Sequence, residues 1–186
     1  MSRVSERDVV MIALFAALIA VLGLIPKLTL ASGIPITAQT LGIMLCGTVL
    51  GAWRGAAAAA LFCLLTLIGL PLLAGGRGGL GVLMTPWAGF FVGFPVAAFV
   101  AGLVMERMRS LPVAAGAATG AAIGGIAALY AVALAWYMIA KPAGLGEAVA
   151  VAALPFIPGD IIKCVLAALI TQALAKARPG ALPSRG

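Results

Sequence analysis

Six apolar runs divide this chain at its prolines, glycines and charged residues. They cover residues 8–26, 37–52, 55–73, 84–106, 111–140 and 156–176. Most are near the length a helix needs to cross a ~30 Å hydrocarbon core at ~1.5 Å per residue. A soluble domain cannot be assembled from such runs, because 64% of the residues are hydrophobic, only 9% are charged, and mean hydropathy is +1.22. The expectation is one all-α integral membrane domain over residues 1–186, with six transmembrane helices. The run at 37–52 is short, so it stands nearly upright or continues into the preceding loop. A short N-terminal segment, 1–7, and a mobile C-terminal tail, 177–186, complete the expected layout.

Positive charge orients the runs. With the N-terminus inside, the inner side receives Arg3, Arg7, Arg54, Arg107, Arg109, Lys176, Arg178 and Arg185, and the outer side receives Lys27, Arg77 and Lys141. Cytoplasmic loops are the ones enriched in lysine and arginine, so both termini are expected in the cytoplasm. An odd number of crossings would scatter these charges over both sides. The outer connections, "KLTLASGIPIT", "LLAGGRGGLGVLM" and "KPAGLGEAV", are also longer than the inner "AWR" and "RMRSLP", which points the functional loops outward.

Several function classes fall away. The formal charge of +7 is spread one to three residues at a time, without the basic, aromatic-interleaved patches of a nucleic-acid binder. No secretory leader is expected, since the first apolar run is too long for an h-region and lacks a cleavage site. Histidine is absent, and the three cysteines, Cys46, Cys63 and Cys164, sit inside apolar runs without metal-ligand spacing, as buried small hydrophobes do. Five acids, no H-E-x-x-H and no partner for a nucleophilic serine make an enzyme a poor fit, and no metal or other cofactor is implied.

"GRGGLG" matches G-x-G-x-x-G through Gly76, Gly78 and Gly81, but it lies between two membrane runs with no βαβ context and no following Lys-Ser/Thr. The nucleotide reading fails. What remains is a glycine-rich outer loop, including Gly79, that either folds closely over a ligand or merely connects. Gly116, Gly120 and Gly124 recur every four residues, as do Ala13/Ala17 and Ala16/Ala20. Small residues at that spacing let helices approach closely in lipid. The glycines suit packing inside the bundle, and the alanines of the first helix suit either packing or a face offered to a partner, a second copy included.

The segment "FIPGDIIKCVLAALITQALAK" places Asp160 and Lys163 in an otherwise oily helix. Ionisable groups inside a membrane are costly and default to function. Counting back from Lys176 sets the pair in the outer third of the bilayer, roughly 6–10 Å below the surface, and their spacing puts them on nearly one face. Two readings stand: a helix cap with its own counter-ion after Pro158-Gly159, or a binding site entered from outside.

Three blocks in order, "IPITAQTLGIMLCGTVLGAWRGAAA", "LIGLPLLAGGRGGLG" and "PFIPGDIIKCVLAA", resemble the biotin-specific substrate-binding subunits, the BioY family, of energy-coupling-factor transporters. The likeness runs over nearly the whole chain. One block departs: near the family's Gly-Pro-Thr-Gly-Gly-Tyr this chain reads "TPWAGF", so Trp87 and Phe90 stand where hydroxyl groups would be. The resemblance implies a six-helix substrate-binding bundle in the bacterial cytoplasmic membrane that binds biotin and is energised by a transmembrane coupling subunit and ATPase subunits. It also implies that Ala13, Ala17 and Ala20 of the first helix meet the coupling subunit. Biotin offers a ureido group, an apolar ring and chain, and a carboxylate. Asp160 would accept ureido N–H bonds, and Lys163 would serve the ureido oxygen or the carboxylate. Thr37 and Gln39 would add neutral polar contacts, and Arg77 is a second partner for the carboxylate. Tyr130, Trp136 and Tyr137 would wall the apolar ring or form an interfacial belt. The alternatives are a related subunit for another vitamin and a secondary carrier coupled to protons through Asp160.

Overall fold

A computed structural model describes residues 5–26, 28–29, 35–178, 180 and 182–185. Arg3 and Lys27, two of the charges in the orientation count, lie outside the described residues, as does most of the first outer loop. The described chain is a helical bundle: α1 (Glu6–Leu22), α2 (Gln39–Leu50), α3 (Ala52–Leu67), α4 (Ala88–Arg107), α5 (Val113–Ala122), α6 (Leu129–Ala140), α7 (Leu145–Ala152) and α8 (Ile157–Ala177). α5 and α6 are halves of one continuous helix, Val113–Ala140, joined by a π-helical turn at Ile123–Ala128. Three helices, α4, α5–α6 and α8, are long and apolar enough to cross a membrane.

Each expected run carries a helix, with its ends moved by a few residues. α2 is the shortest of the six, 12 residues or ~18 Å. That is less than a ~30 Å hydrocarbon core, and a two-residue hairpin pairing Leu28 with Ile36 and Thr29 with Pro35 precedes it. Two features were not expected: that hairpin, and α7, which starts within the "KPAGLGEAV" connection and runs on to Ala152.

The connection between the second and third runs is a single residue. Gly51 sits at φ 88°, a conformation that L side chains rarely adopt, and there the chain reverses from α2 into α3. α3 has no capping side chain of its own; the backbone N–H of Ala52 donates instead to Glu106 Oε1 of α4 at 2.8 Å. A carboxylate from a neighbouring helix thus satisfies an orphan donor at the start of α3. The glycine ladder of α5 faces α4, where a Cβ on Gly120 would come within 2.6 Å of the Ala101 carbonyl oxygen.

Part of the expected C-terminal tail lies among the described residues. α8 runs to Ala177, and the described residues 180 and 182–185 beyond it contact the bundle. Ser184 is fully buried and donates to the carbonyl of Thr48 at 2.7 Å, while Leu182 joins the core. Arg185 Nη1 donates to the carbonyls of Arg109 at 2.8 Å and Leu111 at 2.9 Å, and Arg7 donates to the carbonyl of Gly180 at 2.6 Å. Nothing in "ARPGALPSRG" signals these contacts, yet a serine hydroxyl there finds a carbonyl in the last turn of α2 and one arginine nitrogen finds two carbonyls of the turn after α4.

The same contacts assemble one basic end of the bundle. Arg54 pairs with Asp8 across α3 and α1 at 2.6 Å, next to Arg7 and Arg185. Arg77, Asp160 and Lys163 gather at the opposite end.

Candidate functional site

The site forms at that opposite end, where α2 and α8 begin. Pro158 lies in the first turn of α8, where its fixed φ and missing N–H suit a helix start. Asp160 follows in that turn but makes no capping bond, so the cap reading fails. Its carboxylate, 3% exposed, is bonded sideways instead. Oδ1 accepts from Lys163 Nζ at 2.8 Å and from Thr40 Oγ1 at 3.4 Å, while Oδ2 accepts from the Tyr130 hydroxyl. Lys163 Nζ also donates to Thr40 Oγ1 at 2.8 Å, closing a ring of Asp160, Lys163 and Thr40.

Three helices therefore meet through one carboxylate: α8 supplies Asp160 and Lys163, α2 supplies Thr40, and α6 supplies Tyr130. Charges in so dry a place are tolerated because each is hydrogen-bonded as well as paired. Both members still line the cavity. A ligand that brings its own donors and acceptors can exchange for the internal bonds.

The cavity is lined by Thr37, Thr40, Arg77, Asp160 and Lys163 on its polar side. Trp87, Phe90, Phe91, Phe94 and Phe156 form the apolar side. These rings brace one another: Phe90 meets Tyr130 edge-on at 5.9 Å and Phe156 at 5.8 Å, and Trp87 packs on Tyr137 at 5.2 Å. Rings held by other rings make a flat-walled slot with little rotamer freedom to lose on binding.

Gln39 also lines the cavity, but its amide is committed to the protein. Nε2 donates to the carbonyls of Leu72 at 3.0 Å and Ile19 at 3.3 Å, and Oε1 accepts from the N–H of Ala74 at 3.1 Å. Gln39 thus ties the loop that follows α3 and the end of α1 to the start of α2. Gly23 leaves room for this knot, because a Cβ there would come within 2.8 Å of Gln39 Nε2 and 2.7 Å of the Leu72 oxygen.

The tethered loop roofs the cavity. Leu73 and Arg77 form an isolated antiparallel bridge, with Leu73 N–H donating to the Arg77 carbonyl at 3.0 Å. Arg77 is exposed and lines the mouth. Gly79 is not in the lining; at φ 79° its N–H donates to the Thr66 carbonyl at 2.7 Å and fastens the loop to the end of α3. Trp136 is not in the lining either, and backs onto Gly89 of α4.

Of the residues expected from sequence, the structure brings Asp160, Lys163, Thr37, Gln39 and Arg77 around one cavity, with Tyr130 behind Asp160. Sequence reasoning missed Thr40 and four phenylalanines, Phe90, Phe91, Phe94 and Phe156. Thr40 had a signal, a hydroxyl one residue from Gln39 at the head of an apolar helix. Phe90 had one too, its place beside Trp87 in the departing "TPWAGF" block; Phe91, Phe94 and Phe156 had none, being ordinary in a membrane helix. On α1, Ala13 and Ala17 are exposed, Ala20 is partly buried, and Ala16 is 3% exposed inside the core. The two overlapping alanine pairs therefore face different ways.

The BioY family model matches residues 1–180. The chain belongs to the BioY family. It is 50% identical over 190 residues to a biotin transporter BioY of Rhodobacter capsulatus, covering 97% of this chain and all of that protein. It is 47% identical to the biotin transporter BioY of Rhizobium etli over 97% of this chain and 99% of that one. Among solved structures it resembles the S-component for biotin from an ECF-type ABC transporter, with a TM-score of 0.84, 27% identity, and coverage of 95% and 94% of the two chains. These relatives are transport proteins rather than enzymes, and the likeness extends over the whole fold.

Proposed function

We propose that this protein binds biotin at the outer end of its bundle and serves as the substrate-binding subunit of an energy-coupling-factor transporter, as a multi-pass protein of the cytoplasmic membrane. The observation that carries the biotin assignment is the pairing of a buried acceptor–donor ring, Asp160–Lys163–Thr40, with a slot of aromatic rings. A ureido group has N–H donors for Asp160 and an oxygen for Lys163 or Thr40. The apolar ring and chain fit the phenylalanine walls, and a carboxylate at the mouth meets Arg77. Charge-assisted bonds in a dehydrated slot are the strong kind. Gln39 and Gly79 act by holding the roof loop over the slot, and Tyr130 by orienting the Asp160 carboxylate.

The finer topology is part of this proposal: six crossings with both termini in the cytoplasm. It is supported by the gathering of Arg7, Arg54, Arg109 and Arg185 at the end opposite Arg77. The chain carries no nucleotide-binding motif, so energy enters through partners, a transmembrane coupling subunit and ATPase subunits. The exposed Ala13 and Ala17 offer that coupling subunit a smooth helix face.

The test is uptake of labelled biotin by cells expressing the chain with coupling subunits. Uptake should require ATP and survive an uncoupler that leaves ATP intact. Uptake abolished by the uncoupler alone would overturn the coupling in favour of a proton-driven carrier.

A further inference from the structure

We propose that the inner end of the bundle holds a second site, which binds the phosphate of an anionic membrane lipid. It lies between the start of α1, the start of α3 and the C-terminal strap, residues 180 and 182–185, and it is lined by Ser5, Arg7, Asp8, Arg54, Leu182 and Arg185. Three guanidinium groups face one carboxylate there, 3 − 1 = +2. Asp8 engages Arg54 only through Nε, and Arg54 keeps its terminal N–H groups at a side chain 41% exposed. Arg185 is committed to the protein, with Nη1 donating to two carbonyls, Nη2 facing Met105 Sδ at 3.9 Å and Nε buried, so it adds charge to the pocket while Arg7 and Arg54 supply the contacts. A guanidinium fork matches a phosphate in two-point geometry, and basic pockets between helices on the cytoplasmic side suit lipid headgroups.

The surroundings favour a lipid over a soluble anion. Val9, Val10 and Leu14, in the half of α1 that starts at the pocket, are exposed, on the same face as Ala13 and Ala17, so the lipid would lie at the edge of the proposed coupling-subunit contact. Trp53, beside Arg54, is 79% exposed and packs edge-on against Phe99 at 5.0 Å, as an aromatic ring at a membrane interface does. A headgroup in the arginine pocket would therefore lay its chains along apolar protein surface. Such a lipid would bridge α1, α3 and the strap. The site is at the opposite end from the biotin slot, and it stands or falls independently of that assignment.

The experiment is native mass spectrometry of the full chain released from nanodiscs of equimolar phosphatidylglycerol and phosphatidylcholine, with glycerol-1-phosphate on detergent-purified protein as the soluble control. Phosphatidylglycerol should be retained in preference, and Arg7→Gln and Arg54→Gln should each weaken retention about fivefold. Asp8→Asn should strengthen it, since it removes the competitor for Arg54, and a misfolded variant would not mimic that gain. Biotin binding by all three variants should stay at the parent level. Equal retention of both lipids, or unchanged retention in the arginine variants, would overturn the site. Glycerol-1-phosphate binding as tightly as phosphatidylglycerol would overturn the lipid as its source.

Discussion

Replacing Asp160 with Asn separates the binding role of the carboxylate from its structural role. In the protein the carboxylate accepts from Lys163, Thr40 and Tyr130, and the two charged side chains are 5% and 13% exposed. The amide keeps the shape but loses the charge and one acceptor. It leaves Lys163 without a counter-ion in a dry site, which costs stability, about 1–3 kcal/mol for one group left unsatisfied. Binding loses a charge-assisted bond to the ligand's N–H groups, about 1.5–3 kcal/mol, or roughly 10- to 150-fold in affinity. The two losses come apart in the double variant Asp160→Asn/Lys163→Met, which removes the orphaned ammonium. Thermal unfolding of the double variant should recover toward the parent, while calorimetric titration with biotin should remain weak. Recovery of affinity along with stability, or a single Asn variant that binds within twofold of the parent, would refute the reasoning and leave the pair as a structural tie.

Other substitutions test separate parts of the site. Tyr130→Phe removes the donor to Asp160 Oδ2 without changing the ring that packs on Phe90, so affinity should fall about five- to tenfold and stability by about 1–3 kcal/mol for the oxygen left unsatisfied; parent-level affinity would leave Tyr130 outside the binding role. Gln39→Ala cuts three bonds between α2, the roof loop and α1, so protease cleavage within residues 69–79 and the biotin off-rate should both rise; an unchanged off-rate would detach the loop from retention. Truncation after Arg178 exposes the Thr48 carbonyl that Ser184 satisfies and removes Leu182 from the core, lowering the unfolding temperature by several degrees while biotin still binds; an unchanged temperature would mean the strap contributes nothing.

Much of the architecture was legible because lipid narrows the choices. Backbone groups in hydrocarbon must be satisfied within a helix, so six long apolar runs could hardly be anything else. Asp160 and Lys163 were legible for the same reason, since an ion pair in an oily helix needs an explanation. What was hidden depended on partners distant in sequence. Glu106 caps α3 from 54 positions away, and Ser184 finds the carbonyl of Thr48 from 136 away. Neither side chain announces its target. Gln39 looked like a ligand contact because a buried amide at a helix head has that chemistry, and only the loop folded onto it reveals where its bonds go. Phe91, Phe94 and Phe156 were invisible because hydrophobicity carries no address in a chain where most residues share it.

The most direct test is calorimetric titration of ligand-free, detergent-purified protein with biotin. The geometry of a single slot with a charged ring at its base predicts saturable binding of about one biotin per chain, with a dissociation constant below ~1 μM, or about −8 kcal/mol. No heat and no saturation from folded, empty protein would contradict the assignment and return the Asp160–Lys163–Thr40 ring to a purely structural role.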